Sequence, residues 1–420
     1  MAGAEIVANV LSFEDARRAV EHQAVLVQPP ETEIVALDDA AERVLAEPVL
    51  ADRDLPPFPR STRDGYAVRS ADLRNLPALL EVIGEVRAGE KPDKIPASIG
   101  VGQALSIMTG APVPAGADAV VMVEYTLQRG RQVEVTRGAE TGENIVARAA
   151  EASHGAVLAE RGSRLTEASI ALAASVGKSK LAVYRRPKVA VLTTGDEIVE
   201  VDADPGPTQI RNSNGHSLAV QIRRAGGDPV PFPIAPDELI GLRRSIEQGL
   251  ASDLLLMTGG VSMGRYDLVE QVLAELHTEF FFTGAKIQPG RPVVFGRGTS
   301  YARAEQKPST YFFGLPGNPV STMVTFELFA RPMLEALAGM SPRKLVFLYA
   351  KLKSEIHVKP GLRRFLPATM SGEFENSEVA LVPWQGSGDV AATARANCYV
   401  VIPLDRERIS AGEFVPVMMR

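Results

Sequence analysis

The sequence predicts a multidomain α/β protein built on a central doubly wound, mostly parallel sheet. Three observations carry this. Residues 187–340 alternate short apolar runs with amphipathic stretches, which is the order of strand, crossover helix and parallel strand. At 420 residues the chain exceeds what one hydrophobic core supports, so further units must flank that centre. The 36 glycines and 30 prolines fall between apolar segments as turn punctuation and form no low-complexity tract.

In chain order, Ser12 and Asp15 stand as a capping pair before Phe13, Ala16, Ala19 and Val20, which recur at helical spacing. A second helix is expected over Asp38–Glu47, ended by Pro48. From Ala51 the pattern changes to short β-like runs at Leu79–Val86, Ala104–Met108, Ala119–Tyr125 and Gln132–Thr136. Helical spacing returns at Thr166–Val176, with Thr166 as N-cap and Gly177 as stop. A discontinuous helical domain, 1–50 plus 150–186, is thus interrupted by an inserted β domain, 51–149.

The α/β domain follows over 187–340. Its expected strands are Lys188–Thr193, Asp228–Phe232, Asp253–Met257, Arg291–Phe295 and Tyr311–Gly314; its helices are Ser213–Ala225, Pro236–Leu250 and Tyr266–Leu276. The polar stretch Gly298–Ser309 reads as a surface loop. After Gly339 and Pro342, runs at Val346–Ile356, Val379–Val382 and Asn397–Ile402 predict a C-terminal β domain over 345–420.

Composition excludes several classes. With 45% hydrophobic and 23% charged residues the chain is neither disordered nor fibrous. Lys plus Arg total 45 against 51 Asp plus Glu, a net charge of -6, which disfavours nucleic acid as a partner. No run is long enough to span a membrane, and Met1–Val10 does not read as a secretory signal. The single Cys398 forbids an internal disulfide and points to a reducing compartment, so the cytoplasm is expected. His22, His154, His216, His277 and His357 lack ligand spacing, which argues against zinc. Gly177-Lys178-Ser179 resembles the end of a phosphate loop, but Leu172 stands where its first glycine should be.

The chemistry gathers in glycine-rich turns after three apolar strands: Thr193–Glu197, Thr258–Gly264 and Gly314–Ser321. Carboxyl ends of parallel strands share one edge of the sheet, where ligands bind, so the turns should converge. Glycines admit a ligand close to the backbone, and N–H groups at helix starts favour an oxyanion. Asp196, Glu197, Asp237 and Asp267 lie in or beside these turns; a divalent cation such as Mg²⁺ would reconcile them with an anionic ligand. Each carboxylate taken singly is more often a solvated helix cap, and it is the convergence of the three turns that favours the site. Asp64-Gly65-Tyr66-Ala67-Val68 and Thr109-Gly110-Ala111-Pro112-Val113-Pro114 are, on their own, ordinary turns.

Taken together, these runs resemble one family. Asp64–Val68, Thr109–Pro114, Thr194-Gly195-Asp196-Glu197, Gly259-Gly260-Val261-Ser262, Pro289-Gly290-x-Pro292 and Gly314-Leu315-Pro316-Gly317-Asn318-Pro319-Val320-Ser321 are similar, in this order, to the MoeA-like molybdopterin molybdenumtransferases and the C-terminal domain of gephyrin. The resemblance covers nearly the whole chain. It implies a Mg²⁺-dependent enzyme of molybdenum cofactor synthesis that inserts molybdenum from molybdate into adenylylated molybdopterin and releases AMP. It further implies a homodimer whose site lies between the α/β domain of one subunit and the inserted β domain of the other, and a molybdopterin adenylyltransferase as a partner.

By motif position the resemblance makes Asp64, Glu197 and Asp267 catalytic, with Glu197, Asp237 and Asp267 around Mg²⁺ and Asp64 positioning substrate or water. Gly259, Gly260 and Ser262 would hold a phosphate; Arg291, Ser321 and Ser387 would receive molybdate; Pro316, Pro319 and Arg364 complete the substrate-binding set. The chain departs from the family's Lys-Pro-Gly-Lys-Pro in having Gln288-Pro289-Gly290-Arg291-Pro292. Arg60-Ser61-Thr62-Arg63 replaces Asn-Ser-x-Met, Ala149-Ala150-Glu151 replaces Gly-Glu-Asp, and Pro367 stands in place of an arginine that Arg363 or Arg364 would replace. Arginine and lysine differ at an oxyanion site, so molybdate and tungstate both stay open as substrates. Two other readings are an adenylyltransferase, which would leave residues 1–186 and 345–420 without purpose, and a gephyrin-like scaffold.

Overall fold

The computed structural model describes residues 9–260, 268–299, 309–341 and 343–420. The expected site residues Ser262 and Asp267, the start of the Tyr266–Leu276 helix and residues 300–308 of the polar loop lie outside them.

Helix α1 (Phe13–Val25) starts where Ser12 accepts a hydrogen bond from the Asp15 N–H at 3.0 Å. Its apolar stripe, Phe13, Ala16, Val20 and Ala24, packs into the same core as Val189, Val191 and Phe329, so α1 covers the central sheet. The expected Asp38–Glu47 helix does not form. A 3₁₀ turn at Leu37–Asp39 is followed by Glu42 at φ 63° and by bridges from Val44 to Arg164 and Leu45 to Val183. The cause is burial: Val44, Leu45 and Ala46 are consecutive and all buried, and an extended chain between neighbours can bury each of them. Antiparallel pairing of Thr32–Ala36 with Lys180–Tyr184, and of Val49–Leu50 with Val157–Ala159, ties the two halves of this unit together. Its second segment carries α2 (Glu167–Ser175), capped by Thr166.

The insertion is a six-stranded sheet in the order Ala119–Met122, Gly65–Val68, Gln103–Ile107, Ala78–Val86, Gln132–Val135, Thr126–Arg129. Side chains alternate between two cores: Tyr66 and Val68 face one, Ala67 the other. Gly65 is dictated by its neighbour, because a Cβ there would lie 1.9 Å from the Val121 carbonyl oxygen.

The central sheet has six strands in the order Asp228–Pro231, Lys188–Thr193, Leu254–Thr258, Thr310–Leu315, Val294–Gly298, Glu279–Phe282. The first four are parallel and the last two antiparallel. Helix α3 (Ser213–Arg224) joins α1 on one face, while α4 (Leu239–Gly249) and α5 (Leu268–Glu275) cover the other. That is the doubly wound arrangement. A long helical stretch follows: α6 (Pro319–Thr325), a π turn at Phe326–Ala330, and α7 (Arg331–Leu337). Pro332 has no N–H to donate to the Leu328 carbonyl, and the buried Arg17 Nη1 takes that place at 2.6 Å.

The C-terminal strands run Ile287–Gln288, Arg363–Ser371, Glu378–Leu381, Leu348–Leu352, Phe414–Met419, Cys398–Ile402, and an added Arg363–Ser371 to Cys398–Ile402 pairing closes them on themselves. Ile287–Gln288 thus anchors the central domain to this one. Helix α8 (Val390–Arg395) is capped by Asp389, which accepts from the Ala392 N–H at 2.9 Å. Cys398 is buried in the closed sheet, and burial pushes its thiol up to about 11, which makes it inert.

Candidate active site

Parallel pairing sets the site. Thr193 pairs with Thr258, and Thr258 with Leu315, so the three strands end at one level and their turns leave the same rim. The turns meet around a cleft of ≈ 590 Å³ that Thr194, Glu197, Gly259, Gly260, Pro316 and Pro319 help to line. Arg211 to Asn214, which lead into α3, also line it, as do Pro292, Gly388 and Val390. The C-terminal domain therefore contributes to the cleft.

Close approach of backbones shapes the rim. Gly259 has φ +89°, and a Cβ on it would stand 2.2 Å from the Thr194 carbonyl oxygen. Beneath the rim lies a buried polar network. Asn214 Nδ2 donates to Thr258 Oγ1 at 2.9 Å and to the Gly317 carbonyl at 2.7 Å. Thr322 Oγ1 donates to the Pro316 carbonyl at 2.6 Å, and Thr258 Oγ1 reaches the same oxygen at 3.3 Å. Such bonds fix the relative positions of the second and third turns. Of the side chains that line the cleft, Thr194 and Asn214 each keep a buried oxygen, Oγ1 and Oδ1, without a partner among the described residues. Asn212 caps α3 by accepting from the Gly215 N–H at 2.9 Å.

Acidic groups gather on the first turn. The Asp237 N–H donates to Asp196 Oδ1 at 3.1 Å. Partial desolvation, then the neighbouring Asp196 and Glu197 charges, push the Asp237 carboxyl above its ordinary 3.8. Among the described residues no three His, Cys, Asp or Glu side chains are gathered to hold a metal ion by themselves.

The expected residues distribute as follows. Glu197, Gly259, Gly260, Pro316 and Pro319 line the cleft. Ser387 stands at its edge, where its Oγ accepts from Asn318 Nδ2 at 2.8 Å and its carbonyl from the Val320 N–H at 3.0 Å. Asp237 adjoins through Asp196. Arg291 is exposed and follows the turn that delivers Pro292, without itself lining the cleft. Ser321 is away from the cleft: it is 3% exposed, on the inward side of α6, with its carbonyl accepting from Thr325 Oγ1 at 2.8 Å.

Arg364 is also buried, and its guanidinium donates to Gln288 Oε1 and to the Lys359 carbonyl. Burial holds its pKa below the usual arginine value. Its donors serve the junction of the two domains, so it does not present a free cation to the cleft. Asp64 lies on the inserted β domain, where Oδ1 accepts from the Thr109 N–H at 2.6 Å and Oγ1 at 2.8 Å. Those bonds hold its carboxyl below the ordinary range, and it is not among the lining residues.

Sequence reasoning missed Arg211, Asn212 and Asn214. The available signal was the polar run Arg211-Asn212-Ser213-Asn214 directly before an amphipathic helix that follows the first turn.

Comparison with known proteins agrees along the chain. Residues 11–177 match the model of the MoeA N-terminal region (domain I and II), 190–336 that of a probable molybdopterin binding domain, and 349–419 that of the MoeA C-terminal region (domain IV). A molybdopterin molybdenumtransferase of Nostoc sp. is 34% identical over 397 residues, covering 92% of this chain and 88% of the relative. One from Bacillus subtilis is 33% identical over 399 residues, covering 93% and 90%. The crystal structure of a molybdopterin biosynthesis MoeA protein from Pyrococcus horikoshii OT3 superposes with a TM-score of 0.77 at 27% identity, over 98% of this chain and 100% of that one. Family models in the same order as the observed units, and relatives matched over almost their full length, show that the chain belongs to the molybdopterin molybdenumtransferase (MoeA) family.

Proposed function

We propose that this chain is a transferase of molybdenum cofactor biosynthesis that inserts molybdenum from molybdate into adenylylated molybdopterin, releasing AMP. The observation that carries the reading is the convergence of the three glycine-rich turns on one rim, in a chain whose relatives are named molybdopterin molybdenumtransferases. Molybdate and the adenylylated pterin are substrates; the chain's task is to hold them together and exclude water.

Backbone at Gly259 and Gly260 and the start of α3 suit phosphate oxygens. Asp196, Glu197 and Asp237 stand together at the first turn, where the Asp237 N–H donates to Asp196 Oδ1, and such oxygen ligands suit a hard cation. Magnesium is commonly held by one or two carboxylates, with water and phosphate completing the shell, and Glu197 and Asp237 supply that number. When bound, Mg²⁺ supplies positive charge that offsets the diphosphate linkage. Asp64, kept ionised by Thr109, positions substrate or water at the cleft of a second copy, which makes the working unit a homodimer. A cytoplasmic enzyme supplied by a molybdopterin adenylyltransferase completes the proposal.

The test is release of AMP from adenylylated molybdopterin, with Mg²⁺ and molybdate or tungstate in parallel, coupled to activation of an apo-molybdoenzyme. AMP release with activation supports the reading. Formation of adenylylated pterin from ATP, or failure of both reactions, overturns it.

A further inference from the structure

We infer that Arg211 is the residue that grips the phosphate of the ligand held in the cleft, with Asn214 accepting a hydrogen bond from the same molecule. This deepens the proposed function and rests on reading the cleft as the adenylylated pterin's site. Among the described residues lining the cleft, two are charged, Glu197 and Arg211, and Arg211 alone is positive. Among the described residues, Arg211 is therefore the cationic side chain that an anionic ligand meets there.

The fold aims this residue deliberately. Ile198–Val199 pairs in parallel with Ile210–Arg211, and the Asn212 N–H donates to the Val199 carbonyl at 2.8 Å. That ribbon folds back against the first turn, where the Ile210 N–H donates to the Glu197 carbonyl at 2.8 Å, and brings Arg211 into the lining of the cleft. Arg211 Nε donates to the Ala203 carbonyl at 3.1 Å, which orients the guanidinium while leaving its outer nitrogens available. Their nearest acid, Asp204, is 3.8 Å away and its side chain is fully exposed, so it is a weak, screened competitor. Directly after Arg211, the first N–H groups of α3 have no intrahelical acceptor and add to the same positive field.

Asn214 identifies what else the ligand carries. It is 8% exposed, and its two amide protons are committed to Thr258 Oγ1 and the Gly317 carbonyl. Its Oδ1 is the group left without a partner. A carbonyl oxygen fixed in this way takes an N–H or O–H and repels an oxyanion. The matching ligand joins a phosphate to a hydrogen-bond donor, as in a nucleotide or a phosphorylated pterin; a bare tetrahedral oxyanion satisfies only half of the wall.

The experiment is calorimetric titration of the full chain with AMP, inorganic phosphate and molybdate, in wild type, Arg211→Gln, Arg211→Lys and Asn214→Ala. Arg211→Gln should weaken AMP and phosphate about tenfold, and Arg211→Lys should recover part of the loss. Asn214→Ala should weaken AMP and leave phosphate unchanged. In turnover, Arg211→Gln should raise KM for the adenylylated pterin and leave kcat within about twofold. Unchanged AMP affinity in Arg211→Gln, or dependence on Arg211 for molybdate but not for AMP, overturns the inference. If Asn214→Ala does not fold, the Arg211 variants decide. Arg211-dependent AMP binding by a wild type that fails to turn over would sink the proposed function alone; turnover that ignores Arg211 would sink this inference alone.

Discussion

Replacing Gly259 by alanine separates the architecture of the rim from the ligand it serves. The new Cβ would lie 2.2 Å from the Thr194 carbonyl oxygen, on a residue at φ +89°. An L-residue held at such a φ costs ~1–3 kcal/mol, and forcing one extra carbon into a packed turn adds ~1–3 kcal/mol. A total near 3 kcal/mol lowers the melting temperature of a domain of this size by roughly 6–12 °C. Gly317→Ala is the control: its Cβ would meet Gly259 Cα at 3.5 Å, an ordinary contact, and its φ is not positive. That methyl enters the cleft without straining the fold, so Gly317→Ala should melt within about 1 °C of wild type and raise KM. Differential scanning calorimetry with AMP-release kinetics on both variants checks this. A Gly259→Ala protein that melts and turns over like wild type, or a Gly317→Ala protein destabilised as much, would refute the close approach of the two turns.

Other expectations follow from buried and clustered charges. Burial pushes the Glu335 carboxyl up, yet hydrogen bonds from Arg343 and Arg331 outweigh it and leave the group below its ordinary 4.5. A depressed folded-state value contributes stability that is present above about pH 4.5 and is lost as pH falls through the folded value. Glu335→Gln should therefore lower stability at pH 7 by ~1–3 kcal/mol and flatten the acid limb of a pH series of denaturant melts; an unchanged acid limb counts against it. Asp237 is opposite in sign, since its raised value makes stability fall as pH rises from 3.8 through the folded value. Asp237→Asn should raise the melting temperature without Mg²⁺ and weaken the added stabilisation on titrating Mg²⁺, and an identical Mg²⁺ response would dismiss Asp237 as a ligand. Asp64→Asn should leave the circular dichroism and melting temperature near wild type while abolishing AMP release; full turnover removes Asp64 from the chemistry.

Much of the central domain was legible because parallel strands are buried on both faces. Leu254–Thr258 is wholly buried and reads as an uninterrupted apolar run, and the helices between such runs keep their amphipathic spacing. Illegible parts have physical causes. Arg363–Ser371 carries two arginines and Pro367, and Phe414–Met419 carries Pro416, so neither shows a clean strand pattern until pairing is known. At the site, glycines announced the turns, since their conformational demands are local. The side to which a helical residue turns is not local: Ser321 had a suitable hydroxyl but faces the core. Arg364 had a suitable charge, yet pairing of Ile287–Gln288 with Arg363–Arg364 sets it beside Gln288. Arg211 became visible once the Ile198–Ile210 ribbon folded it back onto the first turn.

That same long-range pairing bears on why the flanking domains accompany the central one. The rim of the α/β domain alone would end at Asn318, whose side chain does not cap its own helix and donates to Ser387 instead. Ser387 also takes the Val320 N–H, so the C-terminal domain completes the backbone bonding of the third turn. Gly388 and Val390 then carry the wall of the cleft onward from that joint. A central unit that only transferred a nucleotide would need neither the joint nor the wall. The C-terminal domain is thereby part of the cleft's enclosure, so residues that a nucleotide-transferring unit would leave without purpose have a structural one.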